Sequence, residues 1–170
     1  MFNTRRLVLL ALFIALASVL HVVESWLPLP LPVPGIKLGL ANIISLIVII
    51  NFGWRDAIYV AILRVFLAAL FGGIFLGPAF VMSLSGALGS IALMAYAYHH
   101  WHGVFSVIGI SIMGAVVHNV AQITVAALLV SSVTLVWYLP YLIVFALPTG
   151  LATGMTTLYF LEKVPKEGYR

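Results

Sequence analysis

The sequence predicts an all-α integral membrane protein with six transmembrane helices. Of its 170 residues, 64% are hydrophobic and only 7% are charged, whereas soluble domains carry about 25% charged residues. The apolar segments are long, and the ten-residue alternation that is typical of barrel strands is absent. A chain of this length accommodates one membrane domain, residues 1–170, without a soluble domain beside it.

Proline, glycine and charged residues divide the chain into six apolar segments. The first is long enough to span a bilayer and no small-x-small cleavage site follows it, which favours a retained helix over a signal peptide. Four prolines between positions 28 and 34 then favour an extended loop. The second segment is short for a span and needs part of that loop to complete the crossing. The predicted helices cover about residues 7–27, 38–52, 57–71, 79–98, 105–130 and 136–161.

The basic residues indicate how these helices are oriented. With six spans, a single basic residue, Lys37, lies on one side of the membrane. The positive-inside rule therefore predicts that both termini are cytoplasmic and that the loop at 28–39 faces outward. The net charge of +4 is a topology signal under this interpretation, and no nucleic-acid partner is predicted. The basic residues on the opposite side are Arg5, Arg6, Arg55, Lys163, Lys166 and Arg170.

One charge lies inside an apolar segment. Arg64 is midway along the third helix among small residues, a depth that costs about 2.5–3.5 kcal/mol on insertion scales. Two interpretations are open. Its side chain either snorkels to the edge or caps a buried carbonyl, or it binds an anionic ligand or pairs with an internal polar group.

A second polar group lies at the centre of the fifth helix. His118 and Gln122 are four residues apart and share one helix face, with Asn119 beside them. Polar groups at this depth are satisfied by neighbours, water or a ligand, so they either bond between helices or line a site. One histidine beside two amides is a poor metal site, and no metal or cofactor is predicted.

The proline-rich loop has polar residues around it. Lys37 and Asn42 lie in or next to it, which suggests a lid over the mouth of the bundle. Glu24, near the outer end of the first helix, either pairs with Lys37 across the loop or is solvated at the interface. The chain has no cysteine, phosphate loop, Ser-His-Asp set or mid-span carboxylate, so neither a stand-alone enzyme nor a proton-driven pump is predicted, and no catalytic residue is assigned.

Arg64 and three segments, 34–42, 105–111 and 114–122, resemble the Gx transporter family, which is also labelled heptaprenyl diphosphate synthase component I. The resemblance covers nearly the whole chain. That family is similar to the S components of energy-coupling-factor vitamin transporters, six-helix bundles whose first extracellular loop caps a ligand. An Ala-xxx-Ala patch on their first helix docks a transmembrane coupling subunit, and Ala11 and Ala15 match this patch.

The resemblance implies a substrate-binding subunit of an uptake transporter in the bacterial plasma membrane, surrounded by lipid, for a small polar or anionic molecule. Separate ATPases would supply the energy, because the chain has no nucleotide site. The alternative is a membrane accessory subunit of isoprenoid or quinone biosynthesis that binds a prenyl compound. The synthase label conflicts with the residues, because the chain has one aspartate and no DDxxD cluster. The substrate-binding residues predicted for the transporter are Lys37, Asn42, Arg64, His118, Asn119 and Gln122.

Overall fold

The computed structural model describes residues 4–26, 39–101 and 103–163. All regular structure in these residues is helical, which confirms the all-α class. A 3-10 helix at Val133–Tyr138 precedes the last α-helix. The α-helices are α1 (Thr4–Trp26), α2 (Asn42–Phe52), α3 (Trp54–Phe71), α4 (Pro78–Trp101), α5 (Val107–Val130) and α6 (Leu139–Lys163).

Four helical segments of the described residues are long and apolar enough to cross a membrane: α1, α4, α5, and α6 together with its 3-10 helix. The chain is therefore a membrane protein. α2 has only 11 residues, and α3 carries Arg55, Asp56 and Arg64 within its 18 residues. Six crossings and cytoplasmic termini stay predictions.

α2 is the central helix of the bundle. It contacts all five of the other α-helices, and seven of its 11 residues are buried. Apart from the buried Ser45, the residues from Ile43 to Ile50 are all apolar, as expected for a helix that is enclosed on every side. Two glycines with positive φ, Gly39 and Gly53, lie just outside its ends and limit its length.

α1 and α3 run parallel, side by side. Arg6 near the start of α1 forms an ion pair with Asp56 near the start of α3. Glu24, near the end of α1, interacts electrostatically with Arg64 further along α3. We call the end of the bundle that holds Arg6, Arg55 and Lys163 the basic end. The remaining helices complete the bundle, since α4 packs against both α3 and α5, and α5 packs against α6.

Several helix boundaries differ from the predicted ones. A turn was expected at residues 51–56, but only Gly53 separates α2 from α3. Its φ of 96° allows the reversal, and its N–H closes α2 on the carbonyls of Val48 and Ile49. α2 begins at Asn42 instead of position 38, because Gly39 has a φ of 85°. α4 continues through the expected turn at 99–103 as far as Trp101.

α5 and α6 approach closely through glycine. A Cβ added to Gly150 would lie 2.6 Å from the Cα of Ile112, and one added to Gly154 would lie 2.8 Å from the Cα of Ile108. The two glycines are four residues apart, and the absence of side chains there lets the α5 backbone pack directly against α6. This is the small-xxx-small contact that is common between membrane helices.

Candidate functional site

Arg64 and Asn42 meet in the interior of the bundle. Arg64 is 1% exposed, and its Nη2 donates to Oδ1 of Asn42 at 3.2 Å. The hydroxyl of Ser90 on α4 lies 3.4 Å from the same oxygen. Arg64 therefore does not snorkel to the membrane edge. Of the two interpretations, pairing with an internal polar group is the one that the structure supports.

Glu24 is hydrogen-bonded to the backbone at the C-terminal end of the proline-rich loop. Its carboxylate accepts hydrogen bonds from the backbone N–H groups of Gly39, at 2.6 Å, and Leu40, at 3.2 Å. Glu24 is only 3% exposed, so the interpretation that it is solvated at the interface is wrong. The other interpretation, a pair with Lys37, lies outside the described residues. These two hydrogen bonds attach the residues just before α2 to the end of α1, close to Arg64.

His118 and Gln122 share one face of α5, as their spacing predicts, and that face is turned to α4. A Cβ added to Gly86 would lie 2.9 Å from Cε1 of His118 and 2.9 Å from Cγ of Gln122. The His118 ring also comes near Gly39, where an added Cβ would lie 3.4 Å from its Cδ2. Both side chains are buried. Gly86 thus provides the space that the imidazole occupies.

Asn119 faces a different helix. Its Nδ2 donates to the carbonyl of Leu142 on α6 at 3.0 Å, and the nearby hydroxyls of Ser111 and Thr153 join the same two helices at 2.6 Å. Successive residues of an α-helix point about 100° apart, which separates Asn119 from the direction of His118. The structure therefore places Asn119 in the α5–α6 contact.

Five elements contribute to one buried group, which we call the polar cluster: Glu24, Asn42, Arg64, Ser90, His118 and Gln122. It contains one carboxylate and one guanidinium, so its formal charges cancel. Nδ2 of Asn42 and Nε of Arg64 are buried donors with no hydrogen-bond acceptor among the described residues. Since buried donors are nearly always bonded, these two atoms have capacity for an added acceptor. No three His, Cys, Asp or Glu side chains of the described residues could hold a metal ion together.

Of the six predicted substrate-binding residues, the structure brings four together: Asn42, Arg64, His118 and Gln122. Asn119 is turned away, and Lys37 lies outside the described residues. Glu24 and Ser90 were not assigned to the site. For Glu24 the signal was present, since it is the one carboxylate within the apolar first segment. The proposed partner-binding residues Ala11 and Ala15 are exposed on α1.

A comparison with protein families shows one match. The family model described as heptaprenyl diphosphate synthase component I matches residues 13–160. No curated protein and no solved structure matches the chain. The likeness to S components of energy-coupling-factor transporters accordingly stays a prediction.

Proposed function

We propose that this chain, which belongs to the heptaprenyl diphosphate synthase component I family, is the substrate-binding membrane subunit of an energy-coupling-factor-type uptake transporter. The observation that carries this proposal is the polar cluster. A guanidinium, a carboxylate, an amide and an imidazole are buried inside an apolar bundle, beside Gly39. Asn42 and Arg64 each have one buried donor without an acceptor among the described residues, and because buried donors are nearly always bonded, this supports a ligand acceptor beside them.

The two spare donors favour a ligand with acceptor oxygens, such as carbonyl, carboxylate or phosphate. Glu24 offsets the charge of Arg64, so the described part of the cluster attracts a polar molecule without demanding an anion. Lys37 adds a positive charge if the loop closes over the site, and that shifts the preference towards an anionic molecule. Glu24 supports this closure by holding Gly39 and Leu40 in place.

The energy source would lie in other subunits. Ala11 and Ala15 are exposed on α1, and small residues at this spacing let a partner helix approach closely. We assign this strip to a transmembrane coupling subunit that carries the ATPases. The protein would then act in the bacterial plasma membrane as a multi-pass subunit.

Native mass spectrometry of the chain purified in mild detergent tests the proposal. We expect one retained small molecule per chain, lost or reduced in Asn42→Ala and Lys37→Ala. Ser111→Ala is the matched control, because it removes a buried hydrogen bond of the α5–α6 contact outside the cluster. If Asn42→Ala and Lys37→Ala both retain the molecule and support its uptake as well as the unchanged chain, the lid over the cluster is wrong.

A second candidate is an accessory subunit of isoprenoid or quinone biosynthesis. The family description favours it, and so does an apolar groove of about 430 Å³ between α1 and α3, lined by Val19, Val22, Val23, Trp26, Leu67 and Phe71. With a single aspartate, the chain lacks the paired carboxylates that hold Mg²⁺ and diphosphate, so we assign it no catalysis. Copurification separates the candidates: a coupling subunit with ATPases favours the transporter, and a soluble synthase favours the accessory role.

A further inference from the structure

A second cavity lies at the basic end of the bundle, away from the polar cluster. It has a volume of about 540 Å³ and lies between the α2–α3 junction and the last turns of α4. His99, at its rim, is nine residues beyond Ser90 on α4, or about 14 Å along the helix axis. The lining extends inward as far as Ile91 and includes no residue of the polar cluster. Its floor is formed by Ile49, Ile58, Ile91, Ala92 and Ala95.

The rim of this cavity differs from its floor. Trp54, Tyr96, His99 and His100 line it, and all four are exposed. The guanidinium of Arg55 lies 5.3 Å from the centroid of the Trp54 ring. An apolar floor below a rim of aromatic and basic groups matches a molecule with a hydrocarbon chain and an acidic head.

His100 has a defined arrangement in this rim. Its ring stacks on Tyr96, with 4.3 Å between centroids, and its Nδ1 lies 3.1 Å from the carbonyl oxygen of Tyr96. Because a carbonyl only accepts, Nδ1 carries the hydrogen.

Among the described residues, no carboxylate lines the cavity to oppose an anion. The nearest acidic residue in sequence, Asp56, is buried and paired with Arg6. At the same end Arg5 and Lys163 add positive charge, and Glu162 beside Lys163 adds one negative charge outside the lining. The leaflet that faces such basic residues in the cytoplasm is the one rich in anionic lipid.

We propose that this cavity binds one anionic phospholipid of the adjoining leaflet. Its acyl chain lies on the floor formed by Ile58, Ile91 and Ala95, and its phosphate lies at the rim between Arg55 and the His99–His100 pair.

Lipid titration by native mass spectrometry tests this proposal. The delipidated chain is mixed with phosphatidylglycerol or with phosphatidylcholine of the same acyl chains. We expect phosphatidylglycerol to bind with a stoichiometry of one and at least tenfold more tightly. Arg55→Gln combined with His99→Gln should remove that preference, and Ala95→Trp, which fills the floor, should abolish binding of both lipids.

Lys163→Gln is the control, because it removes a positive charge from the same end: Lys163 lies over Tyr159, which is not in the lining, whereas Arg55 lies over Trp54, which is. Equal losses in Lys163→Gln and Arg55→Gln would overturn the proposal, since they would indicate general surface attraction. Equal binding of the two lipids would also overturn it. So would saturation by inorganic phosphate alone or a preference for farnesyl diphosphate, which would assign the rim to another ligand. If Ala95→Trp unfolds in a thermal melt, the charge variants decide the outcome.

Discussion

Two charged contacts join α1 to α3, and they differ in depth. At the basic end, Arg6 pairs with Asp56, and the arginine side chain is 41% exposed while the aspartate side chain is 5% exposed. Further along the same two helices, Glu24 and Arg64 interact electrostatically while only 3% and 1% exposed. In the first pair only the carboxylate leaves water, because the arginine keeps part of its hydration. The second requires that both charges leave water, so their neighbours must replace the lost hydration.

The residues around Glu24 and Arg64 show how the fold replaces the hydration that these two charges lose. Glu24 receives two backbone N–H groups from the residues after the loop, and Arg64 donates to Asn42 at the first residue of α2. The deep contact thus ties the loop, α2 and α4 to α1 and α3. The shallow contact ties only the two helix ends on which it lies. We infer that the deep contact has a role beyond adhesion because it costs so much more to maintain.

The largest expected effect comes from Arg64→Ala. It removes the buried guanidinium that interacts with Glu24 and donates to Asn42, and removing one member of a buried charge pair costs about 3–5 kcal/mol. Thermal unfolding in detergent should show a large loss of stability. Combining Glu24→Gln with Arg64→Gln removes both charges and should recover part of it. If Arg64→Ala is no more harmful than Arg6→Ala, the distinction between the two contacts fails.

Two glycines of α4 allow a comparison of packing inside and outside the polar cluster. Gly86→Ala brings a methyl group to 2.9 Å from the His118 ring, and overpacking of this kind costs about 1–3 kcal/mol. Gly89→Ala adds the same methyl group where the nearest atoms are at 3.4 Å, so helix propensity should make it neutral or stabilising. Unfolding measurements on both variants should rank them in that order. Equal effects would mean that His118 is loosely held.

The shallow contact should contribute less than the deep one. Arg6 keeps part of its hydration while Asp56 is buried, so Arg6→Gln should lower the unfolding midpoint by less than Arg64→Ala does, and by less at high salt than at low salt. The same midpoint measured at low and high ionic strength checks this. A loss as large as that of Arg64→Ala would show that the basic end carries more of the stability than its exposure indicates.

The smallest effect on stability is expected on the face of α1 that makes neither contact. Ala11→Leu and Ala15→Leu add volume to exposed positions, and the unfolding midpoint should stay unchanged. Copurification of a coupling subunit should nevertheless be lost, because the added side chains prevent close helix approach. Leu12→Ala, an exposed position between them, is the matched control. If Ala11→Leu and Ala15→Leu both still copurify with the coupling subunit, the assignment of this strip is wrong.

The fold class could be predicted because long apolar segments in a chain with few charges admit few alternatives. The four-residue spacing likewise predicted the shared face of His118 and Gln122. The path of the chain between helices was harder to predict. The single-residue link at Gly53 depends on one positive φ, and the Asn51–Asp56 segment contains several residues that equally suggest a longer turn.

The site was only partly predictable for a related reason. A charge in an apolar helix indicates that a partner exists, but not which one. Glu24 is bonded to backbone N–H groups of residues 39 and 40, and backbone donors leave no trace in a sequence. Asn119 was grouped with His118 by proximity in sequence, although the 100° step of the helix turns it towards Leu142.

The most direct test of the central claim compares the two contacts by what the protein retains. Native mass spectra of the unchanged chain, Asn42→Ala and Arg6→Gln, each verified as folded by thermal unfolding, report whether the deep contact belongs to a ligand site. We predict that the unchanged chain and Arg6→Gln carry the same small molecule and that Asn42→Ala has lost it. A molecule retained by Asn42→Ala as firmly as by Arg6→Gln would contradict the claim and leave the polar cluster a purely structural feature.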